Sequence, residues 1–155
     1  MNELRDSGVD PLIIDAGDLF FSTANLNSKN KKSELYRAGA ILEGYNRVGC
    51  DAINVGHYEV LNGLSFLKSM EEKTEIPFLS ANLRDAQTNK LLFEPFRIIE
   101  KELLKIGIVG VTDKLPDTTK SMIADNYIEA GNHYIDEVSK QADIIVIMVN
   151  SDRKT

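Results

Sequence analysis

Short apolar runs that end in glycine or a polar residue recur along this chain of 155 residues, separated by stretches of helical periodicity. PLIIDAG from Pro11, DAINVG from Asp51, IPFLSANL from Ile76 and ADIIVIMVN from Ala142 each read as a buried strand. FEPFRIIEKELLKIGIVGVT, from Phe93, reads as two strands joined near Lys101. That connection is too short for a crossover, so the pair is expected to be antiparallel. Between the runs, Leu35, Ala38, Ile41, Leu42 and Tyr45 mark one helix face, with Ser33 as the expected cap and Gly49 as the stop. A second apolar stripe, Leu61, Leu64, Phe66, Leu67 and Met70, predicts a helix reaching about Lys73. A third, Ile128, Ile135, Val138 and Ala142, precedes the closing strand. Ser22 to Lys32 reads as a polar loop and Arg84 to Lys90 as a turn-rich excursion. Strands alternating with amphipathic helices imply an α/β layered sandwich, mostly parallel, with one antiparallel hairpin at a side. Residues 1–155 fit a single domain.

The net charge of −6 argues against a nucleic-acid polymer or an anionic membrane surface as the main partner. The KNKK run, Lys29 to Lys32, is short and reads as solvated loop. A single cysteine, Cys50, excludes an internal disulfide framework and a cysteine-built zinc site, and its place after Gly49 suits a buried thiol. No apolar run reaches the ~20 residues of a membrane span. MNELRDSGVD is polar from its start, unlike a signal peptide, and Met1 reads as opening inside the end of a helix.

In α/β sheets of this kind, chemistry collects beyond the carboxyl ends of the strands. Asp15 and Asp18 follow the first strand, and His57 and Glu59 the second. Asn82 follows the third, Thr112 and Asp113 the hairpin, and Asn150 and Asp152 the last. Oxygen and imidazole donors converging from several strand ends are what a divalent cation requires. A lone acid after a strand is more often the cap of the next helix. A lone histidine such as His57 ordinarily packs or caps.

LIIDAGDLFF, GCDAINVGHYEVLNGLSFL, IPFLSANL and LLKIGIVGVT together resemble the calcineurin-like metallophosphoesterases, and more closely the catalytic domain of bacterial 5'-nucleotidases and UDP-sugar hydrolases. The resemblance is collinear from Leu12 to Asn150 and implies the metallophosphoesterase type of sandwich, here incomplete. It also implies two divalent metals (Mn, Zn, Mg or Co) that clamp a phosphate ester while a metal-bound hydroxide attacks phosphorus. The family's Gly-Asp motif falls on Gly17 and Asp18, which makes Asp18 the bridging ligand that the resemblance implies, with Asp15 in a structural part. The family's Gly-Asn-His-Glu corner falls on Gly56-His57-Tyr58-Glu59. His57 therefore takes the place of a ligating Asn, and Tyr58 that of the histidine which stabilises the transition state. A phenol donates a hydrogen bond but carries no positive charge at neutral pH. Glu59 matches the family's acid, which supports the corner. Asn150 stands where the family has a metal-binding histidine. The family's Asp-x-His strand is expected before Met1 and its Gly-His-x-His loop after Thr155, while His133, on the last helix, replaces neither.

Two readings follow. In one, the chain hydrolyses phosphate esters of nucleotides, with Asp18, His57 and Asn150 as metal ligands and Tyr58 at the catalytic position. In the other, it is a non-catalytic binding or structural module that still takes a nucleotide or phosphate. Open sheet edges suggest a homo-oligomer. Full-length members of the family resembled are mostly periplasmic or extracellular.

Overall fold

The computed structural model describes residues 6–151. Met1, at the expected helix end, and Asp152 lie outside them. Among the described residues the elements run β1 (Ile14–Asp15), α1 (Lys31–Val48), β2 (Ala52–Asn54), α2 (Leu64–Glu71), β3 (Phe78–Leu79), β4 (Leu83–Asp85), β5 (Phe96–Lys101), β6 (Leu104–Thr112), β7 (Met122–Ala124), α3 (Tyr127–Val138) and β8 (Ile144–Asn150).

Strand parity builds the layers. Ile53 and Val55 of the β2 segment join the cluster formed by Phe20, Phe21, Leu42, Leu67 and Phe78, beneath α1 and α2. Ala52, one residue earlier, points the other way and meets Leu79, Ile106, Ile108 and Met148. Val109, Val111 and Val138 pack together on the far face, under α3. The order of layers is helices, sheet β1-β2-β3, sheet β5-β6-β8, helix. The pairs β1–β2, β2–β3 and β6–β8 are parallel, and β5–β6 is the expected antiparallel hairpin.

Local chemistry differs from the sequence-based expectations at several points. PLIIDAG contributes only a two-residue strand, since the chain bends away at Gly17 (φ 102°). IPFLSANL is split: after β3 the chain leaves the sheet, and Leu83–Asp85 pairs antiparallel with β7. That makes a second antiparallel pair, which the weak MIA pattern of β7 gave no reason to expect. Asn30, not Ser33, is the residue before α1, and Ser33 lies in the first turn with its hydroxyl on the Asn30 carbonyl. Lys31 and Lys32 open that helix rather than sit in loop. Gly49 ends it in the left-handed conformation, φ 70°. Leu61 stands in a turn before α2, which ends at Glu71 rather than Lys73. Ile128 is 56% exposed, so the buried stripe of α3 is narrower than expected.

Candidate functional site

Two loops meet at the carboxyl ends of β1 and β2 and are fastened by one buried acid. Glu59 is fully buried, and its carboxyl accepts N–H groups from Asp18 (2.7 Å), Leu19 (2.6 Å), Phe20 (3.2 Å) and Gly56 (2.9 Å). Burial pushes that carboxyl up from its ordinary value, and the N–H donors oppose the rise. The contact needs two glycines. A Cβ on Gly17 would lie 2.9 Å from the Gly56 Cα, and one on Gly56 would lie 2.9 Å from the Asp18 nitrogen.

The tight fit forces Asp18 into a left-handed conformation, φ 63°, which Asp tolerates better than most residues. Its Oδ1 then accepts the Tyr58 N–H at 2.7 Å, while the residue as a whole stays exposed at the cleft. His57 donates its backbone N–H to Asn150 Oδ1 (3.0 Å), and its Nδ1 lies 3.3 Å from the Lys114 carbonyl oxygen. The His57 and Tyr58 rings are 5.8 Å apart. The β8 register carries Asn150 to this point, opposite Thr112 of β6. Asp18, His57, Tyr58 and Asn150 thus line one cleft of about 610 Å³, together with Asp113 and the loop Lys114–Thr118.

Other candidates serve the scaffold. Asp15 accepts the Gly17 N–H and the Tyr45 hydroxyl, both at 2.8 Å. Asn82 is buried, donating to the Thr112 and Asp125 carbonyls and accepting the Thr112 N–H. The Thr112 hydroxyl bonds the Val55 carbonyl between the two sheets. Asp113 does reach the cleft, where it accepts the Ser151 hydroxyl at 3.1 Å. His133 is exposed on α3, in a separate hollow with Arg84, Asp125 and Glu129. Leu61 and the Lys114–Asp117 loop were not among the sequence candidates. The one signal for the loop was its position, a KLPD turn directly after a strand end.

The donors do not match a two-metal centre. Such a centre needs a bridging carboxylate and several further oxygen or nitrogen ligands on each ion. Here one oxygen of Asp18 is taken by Tyr58, His57 Nδ1 faces a carbonyl, and Asn150 Oδ1 is held by His57. Among the described residues no group of three or more His, Cys, Asp or Glu is placed to hold a metal ion. The cleft carries three carboxylates, Asp18, Asp113 and Asp117, beside one lysine, Lys114.

No family model matches the chain. A 5'-nucleotidase of Vibrio cholerae is 36% identical over 102 residues, 66% of this chain and 18% of that protein. The protein UshA of Salmonella pullorum is 36% identical over 104 residues, 67% of this chain and 18% of that protein. The chain therefore spans about a fifth of the length of the curated relatives it matches. Among solved structures, a calcineurin-like phosphoesterase of Bacillus subtilis superposes with a TM-score of 0.74 at 21% identity, covering 99% of this chain and 52% of that one. That likeness fixes the fold.

Proposed function

The chain belongs, over a limited span, to the 5'-nucleotidase family of calcineurin-like metallophosphoesterases, and from that premise we propose that its cleft binds a nucleotide phosphate ester without hydrolysing it. The observation that carries this reading is the Gly56–Glu59 corner. Glu59 ties its backbone to the loop after β1, and the positions that the resemblance makes the working ones hold His57 and Tyr58. Tyr58 offers a hydroxyl where transition-state stabilisation calls for a cationic imidazole. Asp18 supplies one carboxylate, and Asn150 is a neutral amide already engaged with His57. These groups hold and orient a ligand.

The charge of the cleft adds a condition. Three carboxylates against Lys114 repel a bare phosphate, so the ester enters together with a divalent cation that offsets the charge. Calorimetric titration of a 5'-nucleoside monophosphate with and without Mn²⁺ tests this. Binding in the presence of Mn²⁺ and its loss in Asp18→Ala are expected. Absence of binding under both conditions contradicts the reading.

A homo-oligomer is also proposed. On β8, the outer strand of its sheet among the described residues, Ile144, Ile147 and Val149 are 44%, 43% and 47% exposed. An uncharged, β-branched edge of this kind pairs readily with another chain. Light scattering is expected to give more than a monomer mass, and a Val149→Lys variant to shift toward monomer.

A further inference from the structure

Asn62 is the asparagine of this chain that is followed by glycine, and asparagine is among the chemically labile residues. The Asn62-Gly63 pair sits in the turn that leads from the Gly56–Glu59 corner into α2, and both residues are half-buried rather than sealed from water. Asn30, Asn46, Asn54, Asn82, Asn126 and Asn150 all have side chains held by hydrogen bonds. The Asn62 side chain has no such partner among the described residues. Gly63 takes φ 82°, and even an added Cβ would meet nothing within 4 Å, so the approach to its nitrogen is open. Its N–H makes one bond, to the Val60 carbonyl at 2.9 Å. As the residue before α2 it stands outside the helix ladder, so opening of a single turn releases that nitrogen.

We propose that Asn62 is a self-modification site, whose side-chain amide is lost to attack by the Gly63 backbone nitrogen. The bond from that nitrogen to Cγ forms as the Cγ–Nδ2 bond breaks, and ammonia departs with the nitrogen's proton. Water then opens the resulting cyclic imide at either of its carbonyls. Opening at Cγ restores the ordinary backbone and leaves an aspartate. Opening at the backbone carbonyl routes the chain through Cγ as an isoaspartate. Only water is consumed. The products act on α2, which begins without a side-chain cap and without an acid in its first turn. An aspartate just before it sets a carboxylate against the positive end of the helix and stabilises it. An isoaspartate instead adds a backbone atom between buried Val60 and a helix whose Leu67 and Met70 share its core cluster, and so loosens that junction.

The test holds the native chain in mildly alkaline buffer, with and without denaturant, and follows the amide of each asparagine by peptide mass spectrometry. In the native chain, loss of the amide at Asn62 is expected to outpace loss at every other asparagine. It should quicken when denaturant releases the Val60–Gly63 bond. An Asn62 amide that persists, or that is overtaken by another asparagine, would overturn the site. Equal rates with and without denaturant would overturn the part given to that hydrogen bond. Asn62→Gln, whose longer side chain closes the ring poorly, should keep its amide; loss as fast as in the native chain would mean plain hydrolysis and overturn the attack by Gly63. Asn62→Asp carries the aspartate product alone and should melt above the native chain. An unchanged or lower midpoint would overturn the effect on α2.

Discussion

Among the described residues Glu59 pairs with no cation, yet four backbone N–H groups from two loops converge on its carboxyl. Glu59→Gln replaces one accepting oxygen by an amide that faces those donors, so buried N–H groups lose their partner. A loss on the order of 2–4 kcal/mol is expected, read from the shift of a denaturant unfolding midpoint. A change within experimental error would mean that the acid does not hold the corner together. Cys50 is the opposite case, a group made inert by its surroundings. Burial pushes its thiol up to about 11, so on the order of a thousandth is thiolate at pH 8. Labelling by a disulfide reagent at pH 8 should be slow in the native chain and become fast in denaturant. Both places were legible as sequence: Glu59 from the GHYE corner, and Cys50 from its position after Gly49. The roles of Asn82 and Thr112 were not, because only tertiary contact shows that their polar atoms are used up inside the scaffold.

At the level of elements, the long periodic helix α1 and the hairpin β5–β6 match expectation because their signals are local. The β4–β7 pair escaped because its strands have three residues each and meet across a separation of nearly forty positions. Close packing of α3 on β6 gives a test of the layer arrangement. A Cβ at Gly107 would lie 2.0 Å from Val138 Cγ1, so Gly107→Ala must displace the helix or its side chain. A cost of about 1–3 kcal/mol is expected, with Val138→Ala in the same chain recovering part of it. Additive losses in the double variant would contradict the contact.

Across the whole molecule, acidity acts through contacts that span the fold. The hydroxyl of Ser22, and then its N–H, hold the Glu34 carboxyl below its ordinary value of 4.5, and so fasten the loop after β1 to α1. A lowered carboxylate adds stability that is complete above 4.5 and disappears as the pH falls through its folded value. The difference in thermal midpoint between the native chain and Glu34→Gln should therefore be open at neutral pH and close on acidification. The lineage was legible because four motifs kept their order along the chain. Which residues share the cleft was only partly so, since the Lys114–Thr118 loop joins it through folding alone. On the proposed reading, the positions that decide the chemistry of this cleft are His57 and Tyr58, in the corner that Glu59 holds together. The most direct measurement is phosphate release from a 5'-nucleoside monophosphate with Mn²⁺, Co²⁺ or Zn²⁺ supplied in turn. No release above the protein-free blank is predicted with any of them; sustained metal-dependent release that disappears in Asp18→Ala would contradict the account.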